Sequence, residues 1–104
     1  MPGGTLSGPN MYSLSVGNTA LLAAVPANPS RLGLTIQNNS GNTITFTFGA
    51  TTPVSASVGQ QIGANANATI PPNAALGLAG NLGAQLNLIA NVAGPSSVTV
   101  LEYV

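Results

Sequence analysis

The chain has 104 residues but no cysteine and no histidine, and its only charged side chains are those of Arg31 and Glu102. General acid–base catalysis needs a side chain that titrates near neutral pH, which histidine or paired carboxylates normally supply. A zinc or calcium site needs several Cys, His, Asp or Glu ligands, and a single glutamate cannot form one. The composition therefore predicts a protein that is not an enzyme, with no catalytic residue, no metal and no cofactor.

Nucleic acid and membranes are not expected partners either. Affinity for nucleic acid comes from several Lys and Arg contacts with phosphates, and one arginine does not form a basic patch. The longest apolar stretches, such as residues 20–25, are far shorter than the roughly 20 residues of a membrane-spanning helix. Residues 1–10 have no basic region followed by an apolar core, so we expect no secretory signal and synthesis in the cytoplasm.

What the chain does contain is many short apolar segments separated by Gly, Pro and Asn, which is typical of β-strands bounded by turns. Gly77, Gly80 and Gly83 disfavour a helix in the Ala- and Leu-rich stretch 73–90. We expect an all-β fold with a single antiparallel β-sandwich or jelly-roll-like domain over residues 11–104; a small barrel is the alternative. The predicted strands cover residues 12–16, 20–25, 31–37, 43–48, 54–58, 66–70, 75–79, 85–91 and 97–103.

The clearest strand pattern lies in residues 31–48. Apolar residues alternate with Gly, Thr and Gln around Leu34, and again with threonines around Phe46, so each half has one apolar face. The intervening residues 39–42 are Asn-Ser-Gly-Asn, which suit a tight turn. The pattern predicts an antiparallel hairpin.

Low charge is the most unusual property of the composition. Charged residues make up 2% of the chain, against about 25% in typical soluble domains, so little electrostatic repulsion keeps copies apart. We expect a surface that packs against neighbours, in a homo-oligomer or a larger assembly. The alternative is a monomer solubilised by its Asn, Ser, Thr and Gln residues.

The N-terminal residues 1–10 are rich in Gly and Pro and predict a flexible arm preceding the domain. In an assembly such an arm would lie across a neighbouring subunit. The residues expected to make these partner contacts are Met1, Pro2, Gly3, Gly4, Thr5 and Leu6.

Arg31 and Glu102 each lie at or near the end of a predicted strand. If those strands are neighbours, the two side chains can pair, with the guanidinium holding the carboxylate in a fork of hydrogen bonds. We interpret the pair as an intramolecular clasp. The alternatives are a contact with another subunit and two separate solvated charges.

Two polar patterns have both a binding interpretation and a structural one. Thr43, Thr45 and Thr47 form a row on one strand face, which could bind ice, but β-branched polar residues also suit any exposed strand face. Turn chemistry explains most asparagines better than a carbohydrate-binding face does, because sugar sites usually also present aromatic rings. The asparagines concerned are Asn38, Asn39, Asn42, Asn65 and Asn67.

Several segments together resemble a known family. They are Asn28-Pro-Ser-Arg-Leu-Gly-Leu-Thr-Ile-Gln-Asn38, the strand end Phe48-Gly49, the loop Ile70-Pro-Pro-Asn73 and the closing Val98-Thr-Val-Leu-Glu-Tyr103. This order is similar to that of small virion proteins of tailed bacteriophages, with "N-P-x-R-x-x-L-x-I-x-N", an "F-G" strand end, a proline-led loop and a terminal "V-x-V-x-E-Y". Asn73 departs from that pattern, in which glycine is usual.

The resemblance implies an all-β virion protein, and we expect a decoration or cement protein on the outer surface of the capsid. Its partners would then be the major capsid protein or other virion subunits. The resemblance does not separate head from tail, so the alternative is a tail, collar or fibre component that binds a carbohydrate on the host surface. A capsid or tail-tube subunit is a further possibility, which the short length disfavours for a shell.

Overall fold

The computed structural model describes residues 10–50, 54–55, 57–71 and 82–104. These residues form eight strands, and no helix among them is long and apolar enough to cross a membrane. The strands are β1 Asn10–Val16, β2 Leu21–Val25, β3 Gly33–Asn38, β4 Ile44–Phe48, β5 Gln60–Ile62, β6 Asn67–Ile70, β7 Leu86–Ala90 and β8 Ser96–Tyr103.

The strands form two four-stranded antiparallel sheets. Sheet A has the order β1-β8-β3-β6 and sheet B has the order β2-β7-β4-β5. The chain thus pairs with itself from the outside inwards, β1 with β8, β2 with β7, β3 with β6 and β4 with β5. This is the all-β sandwich that the sequence predicts.

The predicted hairpin of residues 31–48 is wrong, although both of its strands exist. β3 pairs with β6 and β8 in sheet A, whereas β4 pairs with β5 and β7 in sheet B. Residues 39–43 therefore cross between the sheets rather than turn within one. Alternation shows only that each strand has one apolar face, and in a sandwich both sheets direct that face to the same core.

The core lies between the sheets and is formed by alternate residues of each strand. Phe46 and Phe48 are its largest members and are 1% exposed. Their rings lie edge to face with centroids 5.8 Å apart, a favourable geometry for an aromatic pair. The other buried apolar side chains include Leu34, Ile36, Ile44, Leu86, Leu88, Val98 and Val100.

The remaining predictions have mixed outcomes. In the predicted strand 54–58 the described residues form only an isolated bridge, between Ser55 and Val58, and the short strand β5, which the sequence did not predict, follows it. Asn10, assigned to the arm, is instead the first residue of β1. The predicted strand 75–79 and the other arm residues, including Met1, Pro2, Gly3, Gly4, Thr5 and Leu6, lie outside the described residues.

The outer face of sheet B is covered by the chain itself. Thr45 and Thr47 point away from the core, yet they are only 1% and 0% exposed. Gly59 lies directly over them, since a Cβ built on it would come within 2.8 Å of the Thr45 side chain and 2.9 Å of the Thr47 side chain. The predicted threonine row is therefore not an exposed surface, and neither the ice-binding nor the exposed-face interpretation holds for these two residues.

Candidate functional site

Arg31 and Glu102 meet inside the protein. Nε of Arg31 donates to Oε2 of Glu102 over 2.8 Å, and the two side chains are 0% and 3% exposed. A turn places the arginine: Pro29 occupies its second position, and the Arg31 N–H closes it on the Asn28 carbonyl at 3.0 Å, as is typical of a proline-led β-turn. β3 then pairs with β8, which sets Leu34 opposite Glu102.

The rest of the guanidinium binds main chain rather than the carboxylate. Nη2 donates to the carbonyl of Pro26 at 2.6 Å, and Nη1 donates to the carbonyls of Leu82 and Ala84. The predicted fork is therefore wrong in detail, since only Nε contacts Glu102. Because Pro26 follows β2 and Ala84 precedes β7, Arg31 joins strand ends of sheet B to β8 of sheet A.

Glu102 has two further partners that the sequence did not suggest. Nδ2 of Asn10 donates to its Oε1 at 3.1 Å, and the hydroxyl of Tyr12 donates to the same atom at 3.4 Å. Both come from β1, whose register sets Asn10 opposite Glu102. The signal for these contacts is the strand pairing, which the sequence alone does not reveal.

Glu102 and Tyr12 in this cluster have shifted pKa values. Burial alone would raise the pKa of Glu102, but hydrogen bonds from Asn10 and Arg31, the charge of Arg31 and the Tyr12 hydroxyl together lower it below its usual value. Burial raises the pKa of Tyr12, and the charge of Glu102 and its hydrogen bond to the carboxylate raise it further. Through these contacts the cluster connects strand ends of sheet B with β8 and β1 of sheet A.

The main consequence of the cluster is found at the surface. Arg31 and Glu102 are the only charged side chains of the whole sequence, and they are 4% and 2% exposed as residues. The surface therefore carries no charged side chain. Polar groups inside are also satisfied, since every buried side-chain nitrogen or oxygen in the described residues has a hydrogen-bond partner.

Sheet A presents the open outer face of the sandwich. Its inward residues alternate with outward ones, and the register aligns the outward residues in rows across the four strands. One row is Met11, Leu101, Thr35 and Thr69; the next is Ser13, Thr99, Gln37 and Asn67. Met11 is 68% exposed, and none of these residues is charged. This surface, the sheet A face, carries no charged side chain and is partly apolar.

A groove of about 430 Å³ lies between β5 and β6, which are edge strands of the two sheets. Gln60, Asn67 and Thr69 contribute polar groups to it. Phe46 forms part of its wall but is 1% exposed, so its ring is not available for stacking on a sugar. The groove can hold a small polar ligand through hydrogen bonds.

Asparagines considered for sugar binding instead stabilise loops, through side-chain hydrogen bonds or a turn conformation. Asn38 is 1% exposed and donates to carbonyls of Asn42, Ile62 and Gly63. Asn65 has a φ of 55°, a backbone conformation that asparagine adopts more readily than most residues. Asn67 alone of the five lines the groove.

Potential metal ligands do not cluster: no three His, Cys, Asp or Glu residues lie together in the described part of the chain. Comparisons of the chain with models of known protein families, with characterised proteins and with solved structures found no match.

Proposed function

We propose that this chain is a structural virion protein, a decoration or cement protein on the outer capsid surface of a tailed bacteriophage. The observation that carries the proposal is the complete burial of both charges, which leaves a surface without charged side chains. Neutral surfaces with exposed apolar groups are disfavoured for a free monomer and favoured for a subunit that is covered by neighbours.

The sheet A face is the part of the described surface best suited to that contact. In sheet B the outer side of β4 is already covered at Gly59, whereas the sheet A face has exposed residues such as Met11. Its Ser, Thr, Asn and Gln side chains can pair with neutral polar groups of the major capsid protein or another virion subunit without the desolvation cost of buried charge. We place the virion contact there.

Stabilisation of the shell would follow from mass action. A protein that binds only the assembled lattice shifts the equilibrium towards that lattice. Identical sites repeated over a symmetric shell add many modest contacts. We also propose that residues 1–9, which precede β1, act as an arm that reaches a neighbouring subunit.

The strand order supports a finer description of the fold. Eight strands in two sheets that pair from the outside inwards form a long double ribbon rolled on itself. We propose that the sandwich is a jelly roll, an architecture found in viral capsid proteins and in lectins. Because one fold serves many functions, this analogy supports a virion role without separating a shell contact from a sugar contact.

The test compares particles with and without this chain during heating. We expect particles without it to rupture at lower temperature, and purified chain added back to restore resistance. A chain with Thr35→Lys, which places a charge in the sheet A face, should not restore it. Ser57→Lys places the same charge on an exposed residue near Gly59 and should restore it. Equal heat resistance with and without the chain would rule out the cement role.

The groove between β5 and β6 favours a second candidate, a tail, collar or fibre component that binds a host-surface carbohydrate. Its polar lining can donate and accept hydrogen bonds, but it offers no exposed aromatic ring. Titration calorimetry with neutral oligosaccharides tests this role. Binding that Asn67→Ala abolishes and Asn39→Ala leaves intact would support it, and gold labelling at the tail would place the chain there.

A further inference from the structure

The four edge strands of the sandwich are not equally protected. β2 has irregular pairing with β7 and contains Ala23 at a φ of 52°, and such bulges block further pairing. β5 and β6 are short, with three and four residues, and short edge strands offer little backbone for further pairing. β1 has seven residues in unbroken register with β8, with no proline and no charge. Among the strands that the structure describes, β1 is therefore the edge that lacks the usual protection.

The hydrogen-bond pattern identifies the backbone groups on the open side of β1. Asn39 N–H donates to the carbonyl of Ser97, and this pair continues the β3–β8 register, so odd-numbered residues of β8 face β3. Even-numbered residues of β8 face β1, because successive residues of a strand direct their polar groups to opposite sides. Their register partners on β1 are the even-numbered residues from Asn10 to Val16.

Met11, Ser13 and Ser15 consequently direct their N–H and C=O groups away from β8. No strand among the described residues pairs with them, since β1 ends the order of sheet A. These three residues are also exposed. They form a row of alternating donors and acceptors at the spacing of a β-ladder.

We propose that this edge pairs with β1 of a second copy of the chain, antiparallel and about a two-fold axis at Ser13. In this register Ser13 lies opposite the same residue of the other copy, and Met11 lies opposite Ser15. Because all three residues direct their backbone groups outward, these pairs form about six backbone hydrogen bonds. The two A sheets become one continuous eight-stranded sheet.

The side chains fit the same register. Tyr12 and Leu14 point to the core but remain half exposed because β1 is an edge. About the Ser13 axis, Tyr12 of one copy lies opposite Leu14 of the other, at a position without hydrogen bonds where side chains approach closely. Such aromatic–aliphatic pairs stabilise neighbouring strands. Each copy therefore covers apolar area that the other leaves open.

A second copy is the partner that the charge pattern favours. β1 offers no charge for an oppositely charged partner to recognise, and two copies meet without like-charge repulsion, because both charges of each chain are buried. A two-fold contact also requires a self-complementary surface, and an antiparallel strand centred on Ser13 has this property. This inference depends on the fold and not on the proposed virion role, so either can fail alone.

Sedimentation of the purified full chain tests the proposal. The wild type should form dimers that dissociate on dilution. Ser13→Pro removes an N–H of the free edge, where proline is tolerated, and should weaken dimerisation at least tenfold, whereas Ser13→Ala keeps the N–H and should dimerise as the wild type does. Met11→Lys, which charges the edge, should also weaken it, and Thr35→Lys, in the same row two strands away, should not.

Hydrogen exchange in the wild type identifies the contact residue by residue, so it tests the proposal even if Ser13→Pro does not fold. In dilute wild type the amides of Met11, Ser13 and Ser15 should exchange fast, and those of Tyr12 and Leu14 slowly. At dimer concentrations the first three should slow at least tenfold, while Tyr12 and Leu14 stay slow. A monomer at millimolar concentration, or a dimer in which these three amides still exchange fast, would overturn the proposal.

Discussion

Arg31 donates to Glu102 over 2.8 Å at a point where the ends of β2 and β7 from one sheet meet β8 of the other. The pair brings together residues 71 positions apart in sequence. Arg31 also donates to three main-chain carbonyls near the ends of sheet B strands. It therefore connects the two sheets in addition to pairing with Glu102. Its burial keeps the surface neutral, so the stability of the fold and the character of the surface depend on the same contact.

Breaking this pair should be costly. Arg31→Met leaves Glu102 buried without a counter-charge and the carbonyls of Pro26, Leu82 and Ala84 without their donor, so we expect the free energy of unfolding to fall by about 3–5 kcal/mol. Glu102→Gln should cost less, because the amide oxygen can still accept from Arg31. Urea titration measures both, with the exposed Ser97→Ala as control. In a double-mutant cycle the two changes should be coupled, and additive losses would contradict the clasp.

Stability should depend on pH through the same cluster. The folded pKa of Glu102 is lowered, so its contribution is complete above the unfolded pKa of about 4.3 and is lost as pH falls through the folded value. The folded pKa of Tyr12 is raised, so its contribution is complete below about pH 10 and is lost as pH rises through the folded value. Stability should therefore fall in acid and again in strong alkali.

Urea titrations across the pH range measure these two falls. Glu102→Gln should remove most of the acid fall, and Tyr12→Phe should reduce the alkaline fall. An unchanged acid fall in Glu102→Gln would show that Glu102 is not the group responsible. With no histidine in the chain, no side chain titrates near pH 6.5 to confuse the comparison.

Asn38 should be far more important than its neighbour Asn39. Its amide donates to the carbonyls of Asn42, Ile62 and Gly63, and its Oδ1 accepts from the N–H and hydroxyl of Ser40, so it joins the connection that crosses between the sheets to the end of β5. Asn38→Ala removes these partners and should cost about 2–4 kcal/mol. Asn39 is exposed and donates to Thr99, so Asn39→Ala should cost less than about 1 kcal/mol. Equal losses in thermal unfolding would contradict this account of the crossing.

The sequence predicts strands much better than it predicts their partners. Alternation around Leu34 and Phe46 is a local property, so both strands were found. Their assignment to different sheets depends on contacts with β6 and β8 on one side and β5 and β7 on the other, which come from residues far along the chain. The turn chemistry of residues 39–42 suits a hairpin and a crossing equally well.

The candidate site, like the fold, could be predicted only in part. Two lone opposite charges made an Arg31–Glu102 pair a reasonable hypothesis, because a buried charge needs a partner. The carbonyl ligands of Arg31 carry no side-chain signal and could not be predicted. Burial of Thr45 and Thr47 could not be predicted either, because it depends on the close approach of Gly59, and a glycine has no side chain that would indicate what it covers.

Alanine substitutions at three glycines distinguish the free-energy cost of a positive φ from that of a steric clash. Gly59 has a φ of 132°, and a Cβ there would come within 2.6 Å of the Phe46 carbonyl oxygen as well as contacting two threonines. Gly94 has a φ of 93° with no atom within 4 Å, and Gly41 has open space and no positive φ. Alanine should therefore cost less than about 0.5 kcal/mol at Gly41, about 1 kcal/mol at Gly94 and at least about 3 kcal/mol at Gly59.

Urea unfolding of the three single variants gives this order directly. Because Gly59 lies over the buried outer face of β4, its variant should also speed exchange of the amides of Thr45 and Thr47 relative to those of β8. A Gly59→Ala chain as stable as Gly94→Ala would mean that the segment can move away without loss. Sheet B would then be open on its outer side, and the assignment of the virion contact to the sheet A face would lose its basis.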